Sequence, residues 1–400
     1  MRIGISTSVI QRGKTGVASY VFALVRALLP HLTRHKLVLF VLEEDLPLFA
    51  FASGQAELIP VSEKVRPPVK NILWHQTQLP RLARQHALDV LHVPSYRRLL
   101  WTRPCPLVGT IHDLAPFRVQ NKYDWKRMFY GRVVAKGLAK RQNAVIAISR
   151  NTAQDITQFF HIAPRRLHVI YNGIEHERFF PGERETARTA VFQRHGLNAP
   201  FFLYVARLEH PGKNHVRLIS AFEEFKAATK SAWQLVFGGS DWHGAEVIHH
   251  AIKQSPFAGD IRSLGFVPDE QLPELYRAAD VFVYPSLYEG FGLPPLEAMA
   301  CGCPVIASAS GSLGEVLGDA AAQVEPEDFH TIARQLYILA TEPSVRNQLR
   351  AAGLAQAQNF SWARAAAETL KVYEIAAADF QGKPVESAKR SATAAVASVE

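Results

Sequence analysis

The chain has 400 residues, 48% hydrophobic, 20% charged and 10% aromatic, an ordinary globular composition that excludes a collagen, a disordered chain and a disulfide scaffold. Only three cysteines occur (Cys105, Cys301, Cys303), with no Cys-x-x-Cys pair, which argues against a structural zinc site and suits a reducing cytosol. The net charge of +9 hides an asymmetry: residues 1–180 hold 26 Lys and Arg against 11 Asp and Glu, whereas the remainder holds 19 against 25. A basic N-terminal half attracts nucleic acid, an anionic membrane surface or a phosphorylated substrate. The start Met1-Arg2-Ile3-Gly4-Ile5-Ser6 carries no apolar segment of signal-peptide length, and no apolar run approaches the ~18 residues of a membrane-spanning helix, so a cytoplasmic location is expected.

In chain order, Arg2–Ser6 reads as a strand, Ser19–Leu29 as a helix after a glycine-containing loop, and Lys36–Leu42 as a second strand. Asp89–Val93, Pro106–Ile111 and Ala144–Ser149 continue the series. This alternation predicts a parallel sheet covered on both faces. The rhythm slackens over residues 181–199, which carry Pro181, Gly182, Gly196 and Pro200 at their margins. It restarts at Phe201–Ala206 and continues through Trp233–Gly238, Ile261–Leu264, Val281–Tyr284 and Pro304–Ala307. The expected architecture is α/β with two Rossmann-like doubly wound domains, 1–180 and 200–360, joined by a linker at 181–199. A C-terminal helix at 361–379 is expected to pack back on the first domain, ahead of a disordered Ala/Ser/Lys-rich tail at 380–400.

Two nucleotide motifs fail. Gly13-Lys14-Thr15 lacks the earlier glycine of a P-loop, because position 8 is Ser8, and no Gly-x-Gly-x-x-Gly follows a strand. Gly13–Gly16 remains a loop leading into a helix, able either to turn the chain or to present backbone N–H groups to a phosphate. The segment Tyr288–Val305, YEGFGLPPLEAMACGCPV, carries more information. Glu289 and Glu297 stand eight positions apart. Pro294 and Pro295 suit a helix start, and Gly302 its end. The spacing predicts Glu297 in the first helical turn, Glu289 in the preceding loop, and the N–H groups of Phe291–Leu293 at the positive end of the dipole. Carboxylates for sugar and ribose hydroxyls would then sit beside an anion site, as a sugar nucleotide requires.

With these residues the sequence resembles the retaining GT-B glycosyltransferases of family 4, whose mark is a Glu-x7-Glu element before a Gly-Phe-Gly-Leu-Pro-like helix start. Further matches are Gly13–Gly16, His112-Asp113, Asn172-Gly173-Ile174, Ala206-Arg207-Leu208 with Lys213-Asn214, Gly265-Phe266-Val267 and Gly318-Asp319-Ala320-Ala321. The resemblance implies that Arg207 and Lys213 hold the donor diphosphate, with Gly16 and the amides of Phe291, Gly292 and Leu293 as added donors. It implies Glu297 at the ribose, Glu289 at the sugar hydroxyls, His112 at the transferred sugar, and Phe266 and Val267 beside the base. Neither a metal nor a cofactor is implied; the substrate is a GDP- or UDP-linked sugar. Overall likeness to bacterial polysaccharide mannosyltransferases favours a mannosyl donor, with glucosyl, galactosyl and N-acetylglucosaminyl donors open. Two departures stand out: Glu209-His210-Pro211-Gly212-Lys213 replaces a Glu-x-x-Lys lead-in, and Gly314 stands where many relatives have proline.

Phe117–Arg141 holds eight Lys and Arg against one acid, Asp124, interleaved with aromatic residues. As a continuous helix it would gather Lys122, Lys126, Arg132, Lys136 and Lys140 on one face. That face suits an anionic lipid surface or a lipid-diphosphate acceptor, or is a solvated face whose aromatics enter the core. The expected function is a retaining hexosyltransferase acting on a glycan or lipid-linked acceptor in cell-surface polysaccharide synthesis, peripheral at the inner face of the membrane, with no nucleic-acid partner. A sugar-nucleotide epimerase of the same shape and a silent nucleotide-sugar-binding protein are the alternatives.

Overall fold

In the computed structural model, residues 1–13, 15–118 and 128–380 are described. Two wholly parallel sheets organise them. The first has the order β3-β2-β1-β4-β5-β6-β7, and the second β10-β9-β8-β11-β12-β13. The first sheet runs β1 (Arg2–Ser6), β2 (Lys36–Leu42), β3 (Glu57–Val61), β4 (Val90–Val93), β5 (Leu107–Ile111), β6 (Ala144–Ala147) and β7 (Leu167–Val169). The second runs β8 (Phe201–Val205), β9 (Gln234–Gly238), β10 (Ile261–Ser263), β11 (Val281–Tyr284), β12 (Val305–Ser308) and β13 (Ala321–Val324). The central strands are buried along their whole length because helices cover both faces. Three edge strands escape the sequence reading. β3 contains Pro60 and is half-exposed, β7 has three residues, and β13 carries Gln323 outward, so none shows an apolar run.

Residues 181–199 contain the helix Arg184–His195, whose Arg184 and Arg188 clasp Asp280 at 2.6 and 2.8 Å. Lys122 and Lys126 of the basic segment, and the tail beyond Phe380, lie outside the described residues. Within the segment, Tyr130–Ala135 is a π-helix followed by an α-helical turn, Lys136–Ala139. The expected single face at α-helical spacing is therefore not continued, since a π-turn changes the angle per residue.

The chain crosses between the sheets twice, side by side. Ile174 N–H donates to Phe360 O, and Ile174 pairs with Ser361 in an isolated bridge. A Cβ on Gly173 would lie 2.1 Å from Trp362 N, which explains the glycine. The returning helix Trp362–Phe380 packs on the helix Gly16–Leu28 and on β4, β5 and β6. Its Tyr373 enters a fully buried network. The Tyr373 hydroxyl bonds His92 Nδ1 at 2.8 Å, His92 Nε2 bonds Thr110 Oγ1 at 2.8 Å, and Thr110 Oγ1 bonds the Tyr20 hydroxyl at 3.1 Å. Burial pushes His92 down to about 3, so the ring is neutral and each nitrogen needs a partner. Tyr373→Phe strands one of them, and should cost about 1–3 kcal/mol. Urea unfolding should show a lower midpoint at unchanged slope.

Candidate active site

The site forms where the C-terminal ends of both sheets face each other, as expected for doubly wound sheets. From the second sheet, the helix Leu293–Ala300 begins after Gly292, which adopts φ 101°. Among the described residues, the N–H groups of Phe291, Gly292 and Leu293 donate to no protein acceptor. They remain available at the positive helix end. Phe291 itself is buried against Tyr171 and Phe360, which anchors the loop. Glu297 corrects the sequence reading. With Leu293 as the first helical residue it stands at the fifth position, past the first turn, because Gly292 and not a later residue caps the helix.

Glu289 and Lys213 meet. Lys213 Nζ lies 2.6 Å from Glu289 Oε1 and donates to the Tyr284 hydroxyl at 3.2 Å, and Ser286 Oγ donates to the same carboxylate oxygen at 2.6 Å. Burial, the largest single influence, depresses the lysine, but the charge and hydrogen bond of Glu289 together with Tyr204 and Glu209 outweigh it and hold Lys213 above its ordinary range, protonated. Gly311 leaves room here, since a Cβ would lie 2.4 Å from Glu289 O, and Ser312 Oγ donates to that carbonyl at 2.9 Å. Arg207 does not join the pair. Its guanidinium stacks on Trp242 at 4.5 Å, with Glu209 3.7 Å away. Gly239 holds the adjoining loop, because a Cβ would lie 1.9 Å from Ala206 O. The Gly238-Gly239 pair after β9 was a readable signal for this close approach, whereas Trp242 carried none.

From the first sheet comes His112, just past β5. Its Nε2–H donates to Pro94 O at 3.1 Å, and the ring sits edge-on to Tyr20 at 4.7 Å. Burial lowers its basicity, which keeps the ring neutral with Nδ1 as the acceptor. His112 faces the Glu289 loop directly, since a Cβ on Gly290 would lie 2.0 Å from His112 O. Around this contact, Tyr288 donates to Asp155 at 2.5 Å and Thr152 Oγ1 to Gly290 O at 3.3 Å. Glu315 accepts from Asn151 N at 3.1 Å. Gly16 opens the helix Gly16–Leu28 with free space where a Cβ would stand, and Thr15 caps it through Ala18 N. Val267 is buried and Phe266 is 60% exposed. Among the described residues, no cluster of His, Cys, Asp or Glu is placed to hold a metal ion, and no helix is long and apolar enough to cross a membrane.

Two family models match the chain: "Glycosyl transferases group 1" over residues 187–356 and "Glycosyltransferase Family 4" over 14–178. The O-antigen chain mannosyltransferase B of Escherichia coli is 32% identical over 67% of this chain and 70% of its own length. The chain belongs to the family 4, group 1 glycosyltransferases. Two parallel-sheet domains facing a cleft are therefore the GT-B fold. Among solved relatives, an Anabaena protein, HepE, in complex with UDP and glucose superposes with a TM-score of 0.73 at 20% identity, covering 94% of this chain and 99% of that one. The E. coli serotype-specific mannosyltransferase WbdA is 32% identical over 66% of this chain, which spans only 32% of that longer protein.

Glu297 supplies a measurable consequence. It is half-buried, accepts from the Tyr276 hydroxyl at 2.9 Å, and its loss of solvent pushes it from 4.5 up to about 7. The folded state thus binds a proton that the unfolded state releases. This stabilisation is fully present below pH 4.5 and is lost as pH rises through about 7. The shift corresponds to about 3 kcal/mol at most. Melting curves of Glu297→Gln, measured across that window, should lose this part of the wild-type pH dependence.

Proposed function

We propose that the protein is a retaining glycosyltransferase that moves a hexose, mannose by first choice, from a GDP- or UDP-linked sugar to a glycan or lipid-linked acceptor in cell-surface polysaccharide synthesis. The observation that carries this reading is the Lys213–Glu289 pair beside the unbonded Phe291–Leu293 amides, directly opposite His112. Cation and amides form a receptor for a diphosphate, and Glu289 and His112 Nδ1 are acceptors for sugar hydroxyls. The E. coli mannosyltransferase relatives support mannose and O-antigen synthesis, and the HepE complex with UDP and glucose supports a nucleotide-linked donor.

In the reaction, Lys213, the helix-end amides and Arg207 swung from Trp242 would take up charge as the diphosphate leaves, an electrostatic form of catalysis. Glu297 would accept ribose hydroxyl protons in its ionised form, so donor affinity should weaken as pH falls below about 7. The departing phosphate oxygen takes the acceptor proton, and the acceptor bonds on the face the phosphate left, so configuration is kept. Closure of the two domains excludes water and suppresses hydrolysis.

Lys213→Ala and Arg207→Ala should each lower kcat/KM by about 100-fold or more, the loss expected for one donor to a developing charge. Turnover matching wild type in both variants would refute the clamp. NMR of the product should show the donor's anomeric configuration, and EDTA should leave the rate intact. An inverted product, or full loss on chelation restored by manganese, would refute the retaining, metal-free reading.

The basic half supports docking at an anionic bilayer. Arg132, Val133, Val134 and Lys140 are exposed together with Phe129. Each basic residue near such a surface contributes about 1 kcal/mol, screened over ~10 Å at 0.1 M salt. Phosphatidylglycerol vesicles should sediment the wild type at low salt and release the Arg132→Glu/Lys136→Glu/Lys140→Glu variant. Equal binding to phosphatidylcholine vesicles would refute a charge-driven surface.

A further inference from the structure

Several arginines of this chain hold carboxylates. Arg66 holds Asp45 and Glu63, Arg118 holds Asp155, and Arg184 and Arg188 share Asp280. Arg98 is half-buried, and among the described residues no carboxylate is paired with it. Burial lowers its affinity for its proton, with the Tyr130 phenol opposing and the neighbouring Arg97 charge adding to the effect. The fork is nevertheless held in place. Nε donates to Asn71 Oδ1 at 2.6 Å and Nη1 to Arg97 O at 3.2 Å, while Nη2 has no acceptor among the described residues. Asn71 is 2% exposed, and its Nδ2 also lacks a partner. A half-buried cation with a spare donor thus stands beside a buried amide N–H that lacks an acceptor, and an anion held between them would satisfy both.

The place of these residues in the fold gives the anion a role. Arg98 closes the turn after β4, with its N–H donating to Ser95 O, and Asn71 lies in the first turn of the helix Pro68–Gln85. Pro94, four residues before Arg98, accepts the hydrogen bond that orients His112. The intervening chain spans at most ~14 Å. The pair therefore belongs to the first-sheet side of the cleft, opposite the donor clamp and close to the transfer point. The Tyr130 hydroxyl, donating to Arg97 O at 2.9 Å, fixes the turn from the other side.

We propose that Arg98 and Asn71 form an acceptor subsite for a phosphate group, with the Arg98 fork as the principal donor. This rests on the glycosyltransferase reading above and names the chemistry of its acceptor: a phosphate ester or diphosphate carried at a distance from the hydroxyl that receives the sugar. Arginine suits this group because its planar fork is already oriented and its outer Nη2 points a free donor at the ligand.

Calorimetric titration of the full chain with inorganic phosphate, with GDP and UDP both present to fill the nucleotide side, tests the subsite. Arg98→Gln should weaken phosphate binding tenfold or more, and Arg98→Lys should weaken it less, since the charge stays while the fork is lost. Thermal melting checks that each variant is folded. If Arg98→Gln does not fold, Arg98→Lys decides. Phosphate affinity unchanged by substitution, or no phosphate binding by wild type, overturns the proposal. Decyl phosphate and mannose 6-phosphate distinguish the source. Preference for the first assigns a lipid-linked acceptor, and for the second a phosphorylated sugar, each with the same dependence on Arg98. Nucleotide binding, read separately by thermal shift, keeps the two readings apart. If nucleotide binds and phosphate ignores Arg98, only the subsite fails. If phosphate depends on Arg98 and no nucleotide binds, only the glycosyltransferase reading fails.

Discussion

The active cleft depends on how closely one backbone carbonyl approaches one glycine. His112 O, at the end of β5, lies where a side chain at position 290 would begin. No residue larger than glycine fits there without separating the two domains. Because the loops touch, the loop that carries Glu289 and the helix-end amides on one side is brought up to the backbone of His112 on the other. Tyr288 on Asp155, Thr152 on Gly290 and Glu315 on Asn151 then ring the contact with hydrogen bonds. Each of these is individually modest. Together they define a closed arrangement whose release needs only a few bonds broken, which suits an enzyme that must admit a bulky donor and acceptor.

Within the second domain the electrostatics follow from burial. A protonated lysine in a nearly closed pocket is tolerated because Glu289 is 2.6 Å away, with Ser286 and Tyr284 filling the remaining hydrogen-bond positions. Glu297, with only a phenol and a more distant arginine for support, is left close to neutrality in charge. Arg207, stacked on Trp242, stands apart from the Lys213–Glu289 pair.

Much of this was legible in the sequence. Strand periodicity located ten of the strands within a residue or two, because central parallel strands are apolar along their whole length. The Glu289–Glu297 stretch with its glycines and prolines marked a loop leading into a helix start, since local backbone needs select those residues. Edge strands β3, β7 and β13 were illegible because each is half-exposed or too short to show a pattern. The basic segment was misleading in part, because a π-helical turn at Tyr130–Ala135 breaks the spacing that residue counting assumes.

By itself the sequence determined the two-sheet architecture and the family, because these are written in local periodicity and short motifs. Tertiary structure alone decided who meets whom. It set Lys213 on Glu289 across 76 residues, His112 against Gly290, and Tyr373 on His92 across 281 residues. It also left Arg98 beside Asn71 without a carboxylate. Contacts between residues far apart in the chain depend on the packing of intervening elements, and no local pattern of residue types records the charge that a buried group ends up facing.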